Sequence, residues 1–90
     1  MKPLNYAILL YFTKVDRACV DEVIDALRPV YGHFRSLCKP AVTEALMTAE
    51  KNSLLIEDGY SLDENGELKV YYTINDQYRK TINFYIGCRL

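Results

Sequence analysis

The stretch Tyr60–Ile74, "YSLDENGELKVYYTI", decides how the rest of this 90-residue chain is read. Leu68, Val70, Tyr72 and Ile74 alternate with Glu67, Lys69, Tyr71 and Thr73. A period of two is what a strand with one face toward a core requires. The turn before it sets the register. A two-residue Asn65-Gly66 turn would pair Leu62 with Lys69 and Asp63 with Leu68, so that apolar and polar faces collide. A type I turn over Asp63-Glu64-Asn65-Gly66, with Gly66 left-handed, pairs Leu62 with Leu68 and Tyr60 with Val70. That choice gives one consistent apolar face. The sequence therefore predicts a hairpin closed by a G1 bulge, with Tyr60, Leu62, Leu68, Val70 and Tyr72 on the core side.

Upstream of the hairpin the period is 3.6. "SLCKPAVTEALMTAEKNS" predicts a helix over about 36–53, with Ser36 as N-cap and Leu37, Ala41, Val42, Ala45, Leu46 and Ala49 facing inward. A start with Lys39 as N-cap and Pro40 at the first helical position is the alternative. In "CVDEVIDALR", Val20, Val23, Ile24 and Leu27 form one stripe, and Asp21 and Glu22 suit the positive end of the helix dipole. Pro29 disfavours helical geometry at Arg28, so this helix is expected to end or kink there. "LNYAILLYFTK" follows Pro3 and is apolar almost all round, which suits a central buried helix. A buried strand competes for so short a run, but Leu4, Ala7, Ile8 and Tyr11 also fit helical spacing. After the hairpin, "NDQYRKTINFYIG" predicts a helix over about 75–86, with Asn75 as N-cap and Tyr78, Ile82, Tyr85 and Ile86 on one face. Its β-branched and aromatic content leaves a strand as the competing reading.

The bulk properties exclude several functions. Ninety residues, half of them hydrophobic and about a quarter charged, imply one globular domain spanning 1–90. The longest apolar run, Tyr6–Phe12, is far shorter than the ~20 residues a membrane helix needs. One Lys near the start and no small-residue cleavage site predict no signal peptide and a cytoplasmic chain. The cysteines are Cys19, Cys38 and Cys88, with no CxxC pair, and His33 is the only histidine. A zinc site needs about four ligands, so neither metal nor cofactor is expected, and the thiols are expected to be reduced and mostly buried. There is no Gly-rich phosphate loop, nucleophile motif or paired-carboxylate spacing, so the chain is not expected to be an enzyme.

The order helix, helix, helix, hairpin, helix resembles a winged helix-turn-helix domain, over nearly the whole chain from Leu4 to Ile86. The nearest likeness is to bacterial transcriptional regulators of the MarR and PadR type. "CVDEVIDAL" is similar to their second helix. "VTEALMTAEKNSLLIED" looks like the end of their recognition helix running into the first wing strand. "ELKVYYTINDQYRK" resembles their second wing strand and C-terminal helix. The match is one of order and pattern. It implies an α+β fold with three helices, a hairpin wing at about 54–74 and a C-terminal helix at about 75–86. It also implies a regulator that reads double-stranded DNA with the helix at about 36–53, as a homodimer on two half-sites. Tyr6, Leu9 and Phe12, with Phe84 and Tyr85, offer material for the dimer interface. The chain departs from the pattern in three places. Cys19 stands where Thr or Ser often caps the second helix, the link from Pro29 to Arg35 is long, and the wing is acidic.

Duplex binding needs cations near phosphates and side chains that reach base edges. From Ala26 to Thr43 there is no Asp or Glu, while Arg28, His33, Arg35 and Lys39 are present. The candidate DNA contacts are therefore His33, Arg35, Ser36, Lys39 and Thr43, with Lys69 on the wing. Against them stand Glu57, Asp58, Asp63, Glu64 and Glu67, an acidic run without a base. Acids at a sheet edge also have a plainer use, since they block strand-to-strand aggregation. Tyr71, on the outer strand face, could stack a base, although packing accounts more simply for most of the eight tyrosines. Cys38 could be a redox-sensitive thiol, with a buried apolar role the plainer reading. The alternative function is a winged-helix protein-interaction module that does not bind DNA, with a basic or hydrophobic partner.

Overall fold

The computed structural model describes residues 3–84. Along them run α1 (Leu4–Phe12), α2 (Val20–Tyr31), α3 (Lys39–Lys51), β1 (Leu55–Leu62), β2 (Leu68–Ile74) and α4 (Asp76–Ile82). The described residues form an α+β architecture, with four helices and one antiparallel two-stranded hairpin. No helix among the described residues is long and apolar enough to cross a membrane.

α1 is the centre of the core. Leu4, Ala7, Ile8, Leu10 and Phe12 are all buried, which explains why its sequence is apolar on every side. Around it close Val23, Ile24 and Tyr31 of α2, Val42, Leu46 and Ala49 of α3, Leu55, Tyr72 and Ile74 of the hairpin, and Ile82 of α4. Phe12 is fully buried, so it is core and not part of a dimer interface.

α2 starts behind Cys19, whose thiol is a weak cap. Glu22 compensates: its Oε1 accepts a hydrogen bond from the Cys19 N–H at 3.0 Å, one half of a capping box. The helix does not stop at Arg28 but continues through Pro29 to Tyr31. Pro29 lies in the last turn on the exposed side, where the missing N–H removes a single bond. Buried Tyr31, edge-on to Phe34 at 5.1 Å, anchors that turn to the core. α3 begins at Lys39 with Cys38 as N-cap, later than a Ser36 cap would allow. A cap at Ser36 would have put Pro40 where the first helical N–H must donate. With Cys38 as cap, Pro40 sits among the positions whose N–H is unpaired anyway, and the Val42 N–H donates to the Cys38 carbonyl at 2.9 Å.

The hairpin register is the predicted one, Leu62 opposite Leu68 and Tyr60 opposite Val70. Gly66 has φ 76°, and its N–H donates to the Asp63 carbonyl at 3.0 Å. The Asp63 carboxylate holds the turn by accepting from the N–H groups of Asn65 (2.9 Å) and Glu67 (2.8 Å). The burial of that face differs from expectation. Tyr72 is buried, but Tyr60, Leu62 and Leu68 are 71%, 67% and 57% exposed. The helices cover only the base of the hairpin. A bulge at Asp58-Gly59, with Gly59 at φ 92°, interrupts the pairing between Glu57–Tyr72 and Tyr60–Val70, and the outer half projects beyond the body.

The base of the hairpin is tied to the helical body. Ala18 and Tyr72 exchange backbone hydrogen bonds at 2.9 Å each, which places the start of α2 against β2. At the other end, Asn75 caps α4 by accepting from the Gln77 N–H at 3.2 Å, and Arg79 donates to the Thr13 carbonyl at 2.6 Å. Tyr85 and Ile86, expected on the inner face of the last helix, and Cys88 lie outside the described residues, as does the Tyr85 half of the expected interface.

Candidate functional site

The Ala18–Tyr72 bridge brings three surfaces together: the first turn of α2, one side of α3 and the inner face of the hairpin. Between them lies a cleft of about 360 Å³. Its floor is apolar, built from Val20, Met47, Leu68, Val70 and Tyr72. Its walls carry Asp21, Glu50, Glu57 and Glu67 against Lys39 and Lys69, with Thr43 between.

One end of the cleft is a linked set of charges. The Lys69 ammonium donates to Asp21 Oδ2, while Lys39 Nζ lies 3.4 Å from Asp21 Oδ1 and 3.5 Å from Glu67 Oε1. Lys39 thus spans from the start of α2 to the turn of the hairpin. The hydrogen bond from Lys69 holds the Asp21 carboxyl below its ordinary range; partial burial opposes this, and Lys39 adds to it. Both ammonium groups are held above their ordinary range, in each case first by the hydrogen bond to Asp21. At the other end Glu50 and Glu57 have no ion-pair partner among the described residues. The Tyr72 phenol beside them is pushed up, first by burial and then by the charges of Glu50 and Glu57.

The sequence-derived candidates do not share one surface. Lys39, Thr43 and Lys69 do come together in the cleft. Ser36 lines a different groove, on the far side of α3 against Leu4 and Ile8 of α1. His33 and Arg35 are exposed on the link between α2 and α3, His33 edge-on to the Phe34 ring at 4.8 Å. The outer face of Tyr71 is already covered by the Arg17 guanidinium, 4.4 Å from the ring centroid, and Arg17 also donates to the Asp58 carbonyl at 3.1 Å. Cys19 is buried as expected, whereas Cys38 is exposed because it caps α3 instead of facing the core. Asp21 is the cleft residue that sequence reasoning missed. It reads as a first-turn acid, and no local signal places it against a lysine 48 positions away.

The Asp21 network has a pH signature. A carboxyl whose folded value lies below its ordinary 3.8 adds stability that is present above that ordinary value and lost as pH falls through the folded one. Asp21→Asn is expected to lower Tm at pH 7, with the difference shrinking as pH falls below the ordinary value of 3.8 and lost once pH has passed through the lowered folded value. Thermal melts of both proteins across that range check it. A difference that is constant with pH would remove the ion network as its cause.

No protein-family model matches this chain, and no curated protein sequence matches it either.

Proposed function

We propose that this chain is a winged-helix module that engages a protein partner through the cleft between α3 and the hairpin, and that it does not read duplex DNA. The element order and the hairpin register support the winged-helix layout. In that layout a duplex read by α3 would bring phosphates to the cleft between helix and wing. The observation that carries the proposal is the charge of this cleft: four carboxylates face two ammonium groups, and both ammonium groups are already engaged by Asp21 and Glu67. A carboxylate held ~4 Å from a phosphate costs about 1 kcal/mol in water, and more where water is partly excluded. Affinity for DNA comes largely from neutralised phosphates, which this surface does not provide. It provides apolar area instead, in Met47, Leu68, Leu62 and Tyr60, of the kind that marks contact surfaces. The reading assigns the chain no catalytic step.

Duplex reading as a regulator has one observation in its favour, exposed Arg35 on an acid-free segment. Titration of the chain with mixed-sequence duplex between 50 and 200 mM salt separates the two readings. No binding across that range is expected. Affinity that falls steeply with salt, and that Arg35→Ala weakens, would restore the DNA-binding regulator.

A further inference from the structure

Resting on that reading, we propose that the occupant of the cleft is a cationic amphipathic helix of a partner protein. Its apolar face would lie on Met47, Leu68 and Val70, and its basic side chains would meet Glu50 and Glu57. Three features of the cleft select this chemistry.

The first is charge. The lining carries an excess of two carboxylates, and the two without an ion-pair partner among the described residues, Glu50 and Glu57, line the cleft with Tyr72, which Glu57 faces across the hairpin. An approaching Lys or Arg gains both, while an acidic segment or a phosphate meets repulsion. A bare metal ion is a poorer fit, since no group of three or more His, Cys, Asp or Glu among the described residues is placed to hold one.

The second is shape. An extended peptide binds a sheet by adding to a free edge, where its backbone finds partners. The cleft presents the face of the hairpin, and the β2 edge at Tyr72 is already bonded to Ala18. A helix satisfies its own backbone and needs only a groove between side chains. From Leu68 to Tyr72 the floor runs about 14 Å at strand spacing, the length of roughly nine helical residues.

The third is adaptability. Met47 is 53% exposed, and unbranched Met side chains conform to irregular apolar surfaces. Tyr60 and Leu62 extend the apolar strip outward along the hairpin, so a longer partner helix would find further contacts. Lys39, which spans Asp21 and Glu67 at the other end, competes with an incoming cation for both carboxylates.

The probe is an 18-residue Leu/Lys amphipathic helical peptide, with a Leu/Glu counterpart of the same pattern, titrated calorimetrically against the full chain. One-to-one binding of the Leu/Lys peptide is expected, with the Leu/Glu peptide at least tenfold weaker. Glu50→Gln with Glu57→Gln should weaken the Leu/Lys peptide roughly 25-fold, about fivefold per carboxylate. Asp16→Asn with Glu44→Gln removes the same charge away from the cleft and should change affinity less than twofold. Lys39→Ala should tighten it. Circular dichroism of each variant confirms that the fold is intact. Equal weakening by both double variants would overturn the cleft as the site. Equal binding of both peptides, each lost on Leu68→Ser, would overturn the cationic partner and leave the protein-interaction reading standing. If neither peptide binds and duplex DNA does, both fall.

Discussion

Phe12→Ala is expected to destabilise the protein by about 3–5 kcal/mol, the usual cost of removing a fully buried phenylalanine. At roughly 0.05–0.15 kcal/mol per residue, a chain of this length has about 5–13 kcal/mol in total, so the loss removes from about a quarter to nearly all of it. The side chain is wholly enclosed and meets Tyr11 edge-on at 5.8 Å. No rearrangement of α1 fills the space without moving the helix that organises the core. With a slope of about 1 kcal/mol per molar, the urea midpoint should fall by about 3 M or more. Leu62→Ser makes the opposite case. Leu62 is as apolar as Phe12 and was assigned to the core by pattern, yet it is 67% exposed, and its loss should move stability by no more than about 0.5 kcal/mol. Urea unfolding of the two variants measures how far the core extends along the hairpin. A large loss for Leu62→Ser would mean that the outer hairpin is covered after all. A small loss for Phe12→Ala, with weakened self-association, would return Phe12 to an interface.

The contrast between these residues shows what the sequence could carry. Register is a local property. It follows from a period of two, from Asp63 as an acceptor for turn N–H groups and from Gly66 in a left-handed conformation, all within a few residues. Coverage is not local. Whether the face bearing Tyr60 and Leu68 is buried depends on how far α2 and α3 reach along the hairpin and on the bulge at Asp58-Gly59. The same division runs through the helices. The α2 stripe was legible because Val23 and Ile24 recur at 3.6, but the passage through Pro29 depended on Tyr31 finding the core beyond it. The start of α3 was legible in principle from Pro40 alone, since a Ser36 cap would put the proline where an N–H must donate. For the site, Lys39, Thr43 and Lys69 were identified singly as exposed polar residues. Their neutralisation by Asp21 and Glu67 depends on three elements meeting, and tertiary approach leaves no mark on spacing.

On the proposed reading, the triple reversal Glu50→Lys, Glu57→Lys and Glu67→Lys is expected to confer duplex binding that the unaltered chain lacks. Each reversal adds two charges, taking the formal net charge from −1 to +5, with all of the change on the cleft. Lys39 loses one of its two carboxylates and Asp21 remains to hold Lys69, so the ion pair between α2 and β2 is kept, as are the Ala18–Tyr72 backbone bonds. If three new cations each meet a phosphate, log affinity should fall with log salt at a slope of about −2.7, roughly fortyfold between 50 and 200 mM. Sequence preference should be absent, because phosphate contacts carry none. The experiment separates shape from charge. Non-specific binding with that slope would mean that the cleft has the geometry to follow a phosphate backbone and that its carboxylates alone keep DNA away. A folded triple variant that still ignores duplex would mean that the cleft does not follow a phosphate backbone at all. The likeness to DNA-reading winged helices would then extend to element order and not to the binding surface, and the exposed face of Met47, Leu68 and Leu62 would be left as the part of the molecule built for contact.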